Sequence, residues 1–217
     1  MNIASGLRAC VEKKRMRGIA VAVAVSMASV VPANAAWQYY ACPSDNFAAQ
    51  FPDTPKQETA KFSLARHKDA LSARTYTANV DNVIYRMLVA DYSDRALDGA
   101  SILEEVIADH TSKSGRVVGD DSARIEPDFR GATYGRRVTS DLPNNGGRNL
   151  TTFYFRGGKL YEQSVTILPA NGDYTNPDAS LFVESLLFNL TIMNEEIGSI
   201  PPNIQGCGTA IQPFIFK

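Results

Sequence analysis

The chain has 217 residues, 44% of them hydrophobic and 21% charged, with a formal net charge of −1. That length and apolar content fit one domain with a sizeable core. The mixed, mildly acidic charge argues against nucleic acid or an anionic membrane as the main partner.

The first informative stretch is an export pattern. Lys13, Lys14, Arg15 and Arg17 precede an uncharged run from Gly18 to Val31 that is rich in Ala and Val. Pro32 breaks the run, and Ala33-Asn34-Ala35 supplies the small-x-small pattern read by signal peptidase. A membrane span needs about 20 apolar residues, more than this run contains. Residues 1–35 are therefore expected to be a cleaved signal peptide, cut between Ala35 and Ala36, with an uncleaved anchor as the alternative. Met16 separates Arg15 from Arg17, so the ordinary Sec-type route is expected, not the twin-arginine one. The protein would then be periplasmic or secreted, with no membrane span after cleavage.

Cleavage removes Cys10 and leaves Cys42 and Cys207, one near each end of the remaining chain. In an oxidising compartment an isolated pair forms a disulfide. So long a loop is worth about 5 kcal/mol in the chain-entropy account. Two cysteines and the distant His67 and His110 offer too few ligands for a metal.

Along the mature chain, Trp37 to Tyr40 reads as a short aromatic strand, and Asn46 to Phe51 leads into Pro52-Asp53-Thr54-Pro55, where prolines end any strand. Thr59 to Leu64 suits a strand, followed by a charged bend at Arg66-His67-Lys68-Asp69. Ala73–Val80 and Val83–Tyr92 are rich in Thr, Tyr, Val and Ile, and only Asp81-Asn82 separates them, which predicts a hairpin. The second of these is apolar on both faces, so it should be central, with cover on each side. Leu97 to Lys113 carries Ile102, Leu103, Val106, Ile107 and His110 at helical spacing, closed by Gly115. Arg116–Ile125, Thr133–Leu142, Asn149–Phe155 and Leu160–Leu168 read as further strands. Gly157-Gly158 joins the last two and should set Tyr154 opposite Tyr161. Asn176-Pro177-Asp178 opens a second helix, with Leu181, Phe182, Leu186, Leu187, Leu190 and Met193 predicted to bury it deeply. Pro201-Pro202 ends the regular fold. The expected layout is one α+β domain over 36–194 and a tail over 195–217 pinned by the disulfide.

This element order, the opening Phe47-x-x-x-Phe51-Pro52-x-Thr54-Pro55 and the closing Leu181-Phe182-x-x-Ser185-Leu186 together resemble small exported bacterial proteins and, more distantly, the PsbP/DcrB type of α/β/α sandwich. The resemblance covers most of 37–193. It implies an α+β fold, a twisted and mainly antiparallel sheet with helices packed on it. Relatives of this kind are typically accessory subunits, assembly factors or envelope proteins, so the resemblance brings no catalytic residue and no cofactor.

The chemistry-bearing residues read mostly as structure. His110 is expected as a packed or capping residue and His67 as a solvated one. There is no G-x-S-x-G elbow. The pairs Glu104-Glu105, Asp120-Asp121 and Glu195-Glu196 point apart within each pair and read as solvated. Asn171 to Asn176 and Asp178 have some spacing of a calcium loop but lack its closing glutamate, although Glu184 is nearby, and turn chemistry accounts for them. Arg136, Arg137 and Arg148 read as charges guarding a sheet edge, with reception of an acidic group as the alternative. The expected function is therefore that of a non-enzymatic envelope protein acting through a protein partner. The surfaces expected to meet it are Asn144, Asn145 and Arg148 in one loop and Arg156 and Lys159 at a hairpin tip. A small-ligand binder with a cleft between sheet and helix is the alternative, and an envelope hydrolase a further one.

Overall fold

The computed structural model describes residues 37–66, 70–128, 131–169, 174, 176–188, 207 and 209–211, without the side chains of 126–128 and 209–211. The chain divides into two units, Met1–Ala33 and Asn34–Lys217. The first lies outside the described residues, as do the Ala35–Ala36 junction, His67, Leu190, Met193 and most of the calcium-like loop.

Two antiparallel meanders build the main sheet. Strands β3 (Lys56–Phe62), β4 (Leu71–Val80) and β5 (Val83–Asp91) form one. Strands β6 (Arg116–Asp128), β7 (Gly131–Asp141), β8 (Arg148–Arg156) and β9 (Lys159–Ile167) form the other. They join where β5 lies antiparallel to β9, giving the order β3-β4-β5-β9-β8-β7-β6. The turn residues explain the two tightest connections. Asp81 takes a φ of 53°, and Gly157 and Gly158 both lie at positive φ, a backbone that matches the twist of the strands they join. Tyr154 faces Tyr161, the register expected from that glycine turn.

A smaller sheet, in the order β10-β1-β2, is made of β1 (Gln38–Cys42), β2 (Phe47–Phe51) and β10 (Thr209–Ile211). Together with helix α2 (Pro177–Glu184) it covers one face of the main sheet. That core joins Tyr40, Phe47 and Phe51 to Tyr76, Tyr85, Met87, Tyr161 and Phe182. Helix α1 (Gly99–Lys113) covers the opposite face, packing Ile102 and Val106 against Leu88, Ala90, Phe153 and Leu160. The residues of β5 divide between the two cores, which is the two-sided cover its apolar faces called for. Asp98 caps α1 by accepting from the Ser101 N–H at 2.9 Å, and Gly115 follows its end at a φ of 84°. The architecture is α+β, a mainly antiparallel sheet with a helix on each face.

Several boundaries differ from the sequence reading. The strand expected at Thr59–Leu64 runs from Lys56 to Phe62, and α1 starts at Gly99, not Leu97. The second helix ends at Glu184 instead of running on through the apolar residues after it. Ser185 donates to the Phe182 carbonyl at 2.7 Å and accepts from the Gln50 N–H at 2.9 Å. The chain then turns extended, and Leu187 exchanges two backbone hydrogen bonds with Ala48. Leu186 and Phe188 are buried by strand alternation, not by helical spacing. In the stretch read as a tail, Thr209–Ile211 adds a strand to β1.

Candidate ligand-binding site

Three polar centres lie within this frame. The first surrounds the Cys42–Cys207 disulfide, which the structure contains as expected. After Cys42 the chain makes a 3₁₀ turn, Pro43–Asp45, closed by Asn46 at a φ of 56°. The turn places the Asp45 carboxylate in the interior with 0% exposure. Tyr76 donates its hydroxyl to Asp45 Oδ2 at 2.6 Å, and Arg74 Nε donates to the same oxygen at 2.6 Å while its Nη2 binds Oδ1. The Tyr161 hydroxyl donates to the Asp45 carbonyl at 2.9 Å. Burial pushes the Tyr76 hydroxyl up to about 12, against the pull of Arg74. The two sulfurs and the Asp45 carboxylate cluster closely enough to suggest a metal site. They fit one poorly, because the sulfurs are bonded to each other and a guanidinium holds the carboxylate. The centre ties β1, β4, β9 and Cys207 together.

The second centre is His110, on the inner side of α1. Its ring meets Phe153 edge to face at 5.1 Å, and its Nε2 is buried with no hydrogen-bond partner among the described residues. Burial lowers its pKa, opposed by the charge of Glu162. Glu162 in turn accepts from Arg86 at 2.6 Å. This is the packed histidine that the helix pattern called for.

The third centre is open. Where α2 ends, the extended segment that follows leaves a cleft of about 320 Å³ against β6, β7 and β8. Its apolar lining is Ile125, Tyr154, Val183, Leu186, Leu187 and Phe188. Three arginines also line it, Arg124, Arg137 and Arg156, against one acid, Glu184. Arg156 lies over the Phe188 ring at 5.1 Å and donates to Thr133 Oγ1 at 2.6 Å. Arg137 donates through Nε to Thr152 at 3.3 Å and through Nη1 to Glu184 at 3.0 Å. Burial raises the pKa of Tyr154, with Arg137 and Glu184 acting on it in opposite directions. Size, apolar floor and a few convergent charged groups are the features of a small-molecule site.

The residues expected to meet a partner do not form one surface. Asn144, Asn145 and Arg148 lie at one end of β8, and Arg156 and Lys159 at the other, about 27 Å away at ordinary strand rise. At the first end Asn145 accepts from the Tyr174 hydroxyl at 2.5 Å, and Arg148 stacks on the Tyr174 ring while binding Asp141 at 2.8 Å. At the second, Lys159 turns inward and donates to the Ser44 carbonyl at 2.9 Å. None of Arg136, Arg137 and Arg148 guards a sheet edge, because β7 and β8 are paired on both sides. Arg136 reaches Asp120 on the edge strand β6 at 2.5 Å, and Arg137 faces the cleft, since neighbouring strand residues point to opposite sides. Asp45, Arg74 and Tyr76 were not singled out from the sequence, and Glu184 was noted only as a glutamate near the calcium-like loop. Only Asp45 carried a signal, as a carboxylate in a Pro-Ser-Asp turn beside a cysteine.

No family model matches the chain, and no curated protein matches it. Among solved structures it is similar to the solution structure of cyanobacterial PsbP from Synechocystis, at 10% identity and a TM-score of 0.45. The match covers 71% of this chain and 94% of that one.

Proposed function

We propose that the protein is an exported, non-catalytic binder that holds a small organic anion with an apolar body in the cleft between α2 and the sheet. The observation that carries this reading is three arginines around a floor of Tyr154, Leu186 and Phe188, in a cleft of about 320 Å³. Guanidinium groups suit carboxylate, sulfonate or phosphate, and the floor suits an alkyl or aromatic body. Export is supported by the Lys13–Ala36 pattern and by the Cys42–Cys207 disulfide, since such bridges persist in oxidising compartments.

Thermal denaturation with dodecanoate, and with the uncharged dodecanol as control, tests the reading. At a hundredfold excess over Kd, a ligand bound only by the folded state should raise Tm by about 5–10 °C for a domain of this size. A rise with the anion and none with the alcohol supports it; no rise with either rejects it.

Action through a protein partner is the second reading. It is favoured by β6, an edge strand whose Val117 and Val118 are exposed next to its paired end. Crosslinking in the native host, followed by mass spectrometry, should then place contacts on 116–125; contacts elsewhere would remove β6 from the account.

A further inference from the structure

We propose that Glu184 is an internal anion of the cleft, occupying on Arg137 the position that the acidic group of a bound ligand takes. The inference rests on the cleft reading above and assigns the residue that sets its affinity. Arg137 is held from β7 by its own bond to Thr152, a fully buried residue, which directs Nη1 across the cleft. There it meets Glu184 at 3.0 Å. Arg137 is the less exposed of the pair, with 26% of its side chain accessible against 59% for Glu184. The guanidinium is therefore the fixed member and the carboxylate the mobile one.

The place of Glu184 in the helix makes the same point. It is the last residue of α2, where the helix dipole disfavours a negative charge, and the last turn has no basic residue to offset it. Asp178, in the first turn, stands where the dipole favours an acid. Helix stability alone thus gives no reason for an acid at 184. An exposed ion pair contributes little, so exchange of one carboxylate for another at Arg137 is inexpensive. A ligand whose anionic group reaches Nη1 would release Glu184 to solvent and rest its apolar part on Tyr154 and Phe188.

The test is a fluorescence titration of the folded protein with anilinonaphthalene sulfonate, an anionic aromatic probe, with dodecanoate as competitor. Glu184→Gln removes the competing charge and keeps the shape, and should tighten binding about tenfold. Glu184→Ala should act in the same direction and guards against a peculiarity of the amide. Arg137→Gln should weaken binding about tenfold or more, and Glu184→Gln added to Arg137→Gln should change nothing further. Circular dichroism melting of each variant establishes that the fold is kept. If the unaltered protein binds the probe and both Glu184 variants bind it equally or more weakly, the internal-anion role is overturned and the cleft reading stands. If neither the unaltered protein nor Glu184→Gln binds probe or dodecanoate, both are overturned.

Discussion

Tyr76 donates its hydroxyl to Asp45 at 2.6 Å, and both side chains have 0% exposure. The same hydroxyl stands 3.0 Å from one sulfur of the disulfide and 3.1 Å from the other. A buried carboxylate, a phenol, a guanidinium and a covalent bridge therefore share one point, where the small sheet meets the large one.

Removal of the carboxylate should be costly there. Asp45→Ala leaves Arg74 and Tyr76 without their acceptor, and breaking a buried ion pair costs about 3–5 kcal/mol. The Arg74 side chain is 36% exposed and regains some hydration, which places the loss near the lower end. Tyr76→Phe should cost about 1.5–3 kcal/mol, as a hydrogen bond to a charged group does. Urea unfolding of the two variants measures both; a loss on Asp45→Ala no larger than that on Tyr76→Phe would mean that the carboxylate is not the centre of the knot.

The bridge links residues 165 apart in sequence, yet the strand it secures, β10, pairs with β1 over only three residues. Cys42→Ser with Cys207→Ser should lower the unfolding free energy by about 2–5 kcal/mol. Hydrogen exchange should quicken first in β10 and β1 and stay slow in β5 and β9. Equal protection of β10 with and without the bridge would show that pairing alone holds it.

His110 makes stability depend on pH in a definite direction. Burial holds its folded pKa below the ordinary value, so the unfolded chain binds the proton more readily. The groups acting on it are Glu162 and Asp109, which favour the charge, and Arg86, which opposes it. Stability should be constant well above pH 6.5 on this account and fall as pH drops from 6.5 through the folded pKa. His110→Phe, which keeps an aromatic ring against Phe153, should flatten that decline. The urea midpoint measured from pH 8 to pH 5 in both proteins decides it.

The backbone was more legible than the site, for a physical reason. Alternation, turn glycines and caps act over a few residues, so the hairpin at Gly157-Gly158 and the start of α2 at Asn176 could be read from the chain. The end of α2 could not. Leu186 and Phe188 satisfy helical and extended patterns alike, and the choice is made by Ala48 and Gln50, far away in sequence. The cleft depends on that choice, because it opens where the helix stops. Arg137 was visible only as one of two adjacent arginines, and which of them faces inward follows from the register with Thr152. The pairing of Asp45 with Arg74 and Tyr76 likewise required knowledge of how the two sheets stack.

The seam between β5 and β9 sets an order of events in folding. Within each meander neighbouring strands are close in sequence, but Val83 meets Ile167 and Asp91 meets Lys159 only after α1 and three strands have intervened. Loop closure favours the local hairpins, so the two halves should form as separate ribbons and zip together last along β5 and β9. Until then, the apolar faces of both central strands are open. The step that completes the sheet is also the one at which two chains at high concentration would exchange halves.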